Sequence, residues 1–169
     1  TCVISNPNLP VNSMQRTIDS PESIEVEECI TSGCFCNTNA FNSIKGFDNS
    51  LFIDCVDNDV CLNLKKNNYK IIQILKNVNL THEMGEAKLK HILGKKILTY
   101  NEKPFRHYYI SRNWILLSRK YNCCFIGRIL TIWIKSLLFE PNKIKMSKAT
   151  FFGIFDGICN KSGKLDRRI

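Results

Sequence analysis

The run Ala149-Thr150-Phe151-Phe152-Gly153-Ile154-Phe155 constrains the fold of this chain most. A block so dense in large apolar and β-branched side chains reads as a short strand buried on both faces. On that reading Phe152 and Ile154, or Phe151 and Phe155, belong to the core. The run stops at Asp156-Gly157, a dipeptide suited to a tight turn because Gly tolerates positive φ. One carboxylate then stands at the mouth of a rigid strand, where a hard divalent cation finds the oxygen ligands it prefers. The plainer alternative is an ordinary buried strand followed by a turn.

Residues 151–157, Phe-Phe-Gly-Ile-Phe-Asp-Gly, resemble the Phe-Phe-Gly-Val-Phe-Asp-Gly signature of the type 2C metal-dependent protein serine/threonine phosphatases. The resemblance implies that Asp156 bridges two Mg²⁺ or Mn²⁺ ions and that the Gly157 carbonyl binds one of them. It also implies a phosphoprotein substrate, a phosphatase fragment ending just after its first metal-binding strand, and little activity from this stretch alone. Ile158-Cys159-Asn160 stand where the family continues His-Gly-Gly, so no catalytic acid is identified. Ser13 to Asp19 loosely resembles the family's entry motif, but its spacing is compressed and no role passes to Arg16 or Asp19.

Charge divides the chain. Residues 1–63 hold nine Asp or Glu against Arg16 and Lys45, whereas residues 64–169 carry the excess that brings the whole to +9. The expectation is an acidic, Cys-bearing, loop-rich region over 1–63 and a basic α+β region over 64–169. A basic face is more often solvated than built for nucleic acid, so a nucleic-acid partner is not favoured. Residues 105–148 interleave aromatics with cations, and a non-catalytic basic module binding anionic lipid or a protein is the alternative to the phosphatase.

Nine cysteines, an odd number without a Cys-x-x-Cys pair, predict mostly free thiols and a cytoplasmic chain, with membrane association as an option. Cys29, Cys34, Cys36, Cys55 and Cys61 match no standard zinc-finger spacing. The Pro-bearing stretch 1–23 reads as an extended leader. Phe52 to Val56 reads as a strand followed by an acidic turn at 57–59 that lacks the features of a calcium loop.

Tyr69 to Leu75 is open between strand and helix. Thr81 as N-cap, early glutamates and late cations predict a helix over 82–93, and Ile97 to Tyr100 a strand. In the apolar block 123–139, Arg128, Thr131 and Lys135 form one polar stripe, so an amphipathic core helix is expected, with a membrane-surface helix as runner-up. Two cations in that block argue against a membrane span. Lys143, Lys145 and Lys148 read as a basic connector and 161–169 as a frayed tail. The expected fold class is α+β, with mixed helices and short strands; the phosphatase resemblance would make it an incomplete β-sandwich.

Overall fold

A computed structural model of the chain describes residues 3–5, 21–75, 79–81, 88–92, 95–99, 103–140 and 142–165. The chain forms two compact units. One comprises Thr1–Phe47 with Asp57–Tyr100, the other Asp48–Val56 with Asn101–Ile169. The Ser13–Asp19 motif lies outside the described residues. The class is α+β.

The first unit holds the strands, all three to five residues long and paired two by two. β1 (Val3–Ser5) runs parallel to β4 (Asn79–Thr81), with Ile4 opposite Leu80. β2 (Ser23–Glu25) pairs antiparallel with β3 (Ile72–Ile74), which resolves the 69–75 ambiguity as strand. β5 (Lys88–Ile92) pairs antiparallel with β6 (Lys95–Thr99), Lys90 facing Ile97. The helix expected over 82–93 is therefore corrected to a hairpin strand over 88–92, while 82–87 and 93 lie outside the described residues. Met84, Ala87, Leu89, Ile92 and Leu93 make no clean helical stripe, and antiparallel pairing overrides the weak capping signal. Each sheet has two strands, so no β-sandwich exists among the described residues.

Two helices complete this unit. α1 (Thr38–Ser43) is capped by Asn37, whose Oδ1 accepts from the Asn39 and Ala40 amides at 2.9 and 3.2 Å. α2 (Val56–Lys66) opens with Asp57 and Asp59 and closes with Lys65 and Lys66, each sign at the end of the dipole that favours it. The expected strand at 52–56 and acidic turn at 57–59 are thus replaced by bends at 53–55 and the first helical turn.

The second unit is helical. α3 (Pro104–Lys120) starts with Pro at a position where its missing N–H costs nothing. α4 (Ile126–Phe139) is the amphipathic helix read from the 123–139 block. α5 (Lys143–Ile158) absorbs both the basic connector and the apolar run, so the strand at 149–157 is a helix. Its buried positions, Ala149, Thr150, Gly153, Asp156 and Gly157, recur with helical spacing.

Ala149, Gly153 and Gly157 form a small-residue ridge against α3. A Cβ on Gly153 would collide with Ser111 Oγ and the Tyr108 carbonyl, and one on Gly157 would sit 2.9 Å from the Arg112 carbonyl oxygen. These glycines serve close helix approach instead of a turn. The aromatics point the other way, with Phe151 67% exposed against the burial expected of it. Phe155 is exposed too, and Phe152 likewise. Tyr108, Tyr109 and Ala149 form one cluster in the core of the unit, with Ile53 and Leu165 packed on it. The 161–165 part of the expected frayed tail is tied down, since the Leu165 amide donates to Tyr109 Oη at 2.8 Å.

Candidate functional site

In the second unit, a short 3₁₀ turn, Asn49–Leu51, leads into a strained stretch of backbone. Phe52, Asp54 and Cys55 adopt φ of 62°, 61° and 59° without a glycine among them. Side chains other than Gly enter that region at a cost of about 1–3 kcal/mol each, and the surroundings must hold them there.

α3 provides the hold. Asn113 Nδ2 lies 3.0, 2.8 and 2.9 Å from the carbonyl oxygens of Leu51, Ile53 and Asp54. Arg112 Nη2 donates to the Leu51 carbonyl at 3.0 Å, and its Nη1 to the Gly163 carbonyl at 2.7 Å. Arg112 Nε donates to Asn113 Oδ1 at 3.0 Å, fixing which way that amide points. The guanidinium also lies 4.8 Å from the Tyr109 ring centre, so a fully buried cation is surrounded by acceptors and a π-face. Cys55 is buried beside it, its Sγ 3.9 Å from the Ile110 carbonyl oxygen.

This clamp presents Asp54. Its carboxylate pairs with the Arg106 guanidinium through both Nε, at 3.2 Å, and a close Nη2 contact. The Arg106 side chain is 40% exposed and that of Asp54 only 7%, so the guanidinium is the solvent-facing member of the pair. A rigidly held carboxylate can accept hydrogen bonds from hydroxyls, and an accessible guanidinium suits phosphate oxygens. His107, the next residue of α3, is buried; desolvation lowers its pKa and so does Arg106, with Asp54 opposing them. A polar cleft in this unit is lined by Asp48, Arg119, Lys120 and Ser162, with Lys120 Nζ donating to Asp48 at 2.7 Å.

The first unit has its own features. Asp57 accepts from Thr31 Oγ1 at 2.7 Å, and Glu28 from Asn58 Nδ2 at 2.9 Å. A cavity of about 550 Å³ is lined mainly by apolar side chains such as Phe41, Val60 and Ile71. Cys29, Cys34 and Cys61 also line it, the Cys29 sulfur lying 3.7 Å from that of Cys34 and 3.8 Å from that of Cys61. The hydrogen bond from Cys29 holds the Cys61 thiol below its ordinary pKa, against the effect of burial. The eight described cysteines are free thiols.

Asp156 and Gly157, the metal ligands implied by the resemblance, lie in the last turn of α5 and not at an exposed turn. Asp156 is 1% exposed. Its oxygens accept from Tyr108 Oη at 2.9 Å and Lys161 Nζ at 2.8 Å. The Gly157 carbonyl accepts from Arg119 Nη1 at 3.2 Å. Among the described residues no group of three or more His, Cys, Asp or Glu is arranged to hold a metal ion. Asp54, Arg106 and the Arg112–Asn113 clamp escaped the sequence reading, because no glycine marks the positive φ at 52–55 and Asp54 lay inside an apparent strand.

No protein-family model matches the chain, and no solved structure matches it. The chain is 31% identical over 167 residues to the dTDP-rhamnosyl transferase RfbF of Shigella flexneri, an alignment covering 92% of the chain. The chain spans 54% of that protein's length. A likeness of such extent outweighs a match of seven residues and overturns the phosphatase reading and its hydrolase character, and with them the ground on which Mg²⁺ or Mn²⁺ was inferred. It gives no support to a non-catalytic module either.

Proposed function

We propose that this chain is part of a glycosyltransferase that moves a sugar from a nucleotide-activated donor to a hydroxyl acceptor. The observation that carries the reading is the 31% identity to a dTDP-rhamnosyl transferase along 92% of the chain. In the reaction, the acceptor hydroxyl gives up its proton as its oxygen bonds to the anomeric carbon. The bond from that carbon to the diphosphate breaks, and the nucleoside diphosphate leaves. Such a transfer needs a fixed carboxylate for hydroxyls and cations for the diphosphate. The Asp54–Arg106 pair supplies one of each, on a loop whose strained geometry is what a preorganised site requires.

The test is release of dTDP from dTDP-rhamnose by the protein that carries this chain, with and without hydroxyl acceptors. Asp54→Asn should lower kcat/KM by roughly 10²-fold or more with the circular dichroism unchanged. Lys66→Gln, at an exposed lysine in the last turn of α2 in the first unit, serves as the control and should leave turnover intact. Unchanged turnover in Asp54→Asn removes Asp54 from the site, and no turnover of any nucleotide sugar by the wild type removes the reading.

A further inference from the structure

α4 carries Ile126, Leu130, Ile134 and Leu138 at four-residue steps, which sets them in one row along the helix. All four are exposed, Leu138 to 62%. The packed side is elsewhere, with Ile129, Ser136 and Phe139 buried. Arg128 and Lys135, both exposed, follow one edge of the row. α5 repeats the pattern: Ile144, Phe151, Phe155 and Ile158 share one side and are all more than half exposed. Lys143, Lys145 and Lys148 are exposed on its first turns. Isolated exposed apolar residues are ordinary, but aligned rows of them mark a binding face.

The charge around these rows is of one sign. From residue 121 to 165 the acids are Glu140 and Asp156, 8% and 1% exposed, whereas the lysines of the stretch are exposed. A second copy of the chain laid on the same rows would bring like cations together, which disfavours self-association. An anionic leaflet meets both demands, taking apolar side chains at its acyl boundary and lysines at its headgroups.

We propose that α4 and α5 form a surface that adsorbs to an anionic lipid bilayer. Among the described residues no helix is long and apolar enough to cross a membrane, so the mode is adsorption in the interface plane. The proposal adds a surface to the chain and does not rest on the glycosyl-transfer reading.

Co-sedimentation with vesicles tests it, comparing phosphatidylcholine alone with phosphatidylcholine plus phosphatidylglycerol. The protein should sediment with the anionic vesicles only, and less so at high salt. Lys143→Gln and Lys145→Gln should each lower partitioning about five-fold. The pair Ile134→Gln and Leu138→Gln should lower it further with circular dichroism unchanged, because both side chains face solvent. Three results overturn the proposal. They are failure to sediment with anionic vesicles, equal binding to neutral ones, and binding untouched by the apolar pair, which would reduce it to charge attraction alone.

Discussion

Tyr108 Oη donates a 2.9 Å hydrogen bond to Asp156 Oδ2, joining α3 to α5 by a polar contact in which both residues are 1% exposed. The carboxylate that the sequence offered as a metal ligand here accepts a hydrogen bond between two helices. Asp156→Ala would leave the phenol buried without that acceptor. We expect a loss of about 1–3 kcal/mol in urea unfolding. An unchanged midpoint would show that the contact does not hold the helices.

The same bond has a signature in alkali. Burial pushes the Tyr108 phenol above its ordinary pKa, and the bond to Asp156 adds to the shift. Above pH about 10, where an unfolded tyrosine ionises, the folded state keeps the proton that the unfolded state loses. Stability should therefore fall as pH rises beyond that point, and Tyr108→Phe should flatten the slope. Unfolding curves across the alkaline range make the comparison.

His107 reports at the acid end. With its folded pKa lowered, chiefly by desolvation, the unfolded state binds a proton that the folded state refuses. Stability should be intact above pH about 6.5 and decline as pH falls below it. His107→Gln should reduce that decline in unfolding titrations.

Two glycines in helices should respond oppositely to the same change. Gly153→Ala drives a methyl into Ser111 and the Tyr108 carbonyl and should cost about 1–3 kcal/mol. Gly127→Ala meets nothing within 4 Å and should gain about 0.4–1 kcal/mol. Thermal unfolding of the two variants separates close approach from backbone freedom.

The helix at 126–139 was legible because Arg128, Thr131 and Lys135 mark a helical period that no strand can carry. The run 149–157 misled for a physical reason. Its large side chains looked like a core, yet the contact with α3 is made by Ala149, Gly153 and Gly157, whose signal is the absence of bulk. The strained loop at 52–55 was illegible for a related reason. Its left-handed residues are held by Arg112 and Asn113, which lie about sixty positions further along the chain, and no local pattern announces such a tie. The short strands were seen only in part because two-stranded pairing depends on partners distant in sequence, as with Val3 and Asn79.

Arg112 gathers carbonyls from Gly163, 51 residues after it, and from Ser50, 62 residues before it. On a ribosome, which delivers the chain from its N-terminus, Ser50 and Arg112 emerge well before Gly163. The guanidinium must spend that interval hydrated or on provisional partners, and the second unit can lock only after residue 163 has cleared the exit tunnel. Folding of this unit therefore waits on the segment that carries Gly163, and translation pauses upstream of it should prolong a state sensitive to proteases and chaperones.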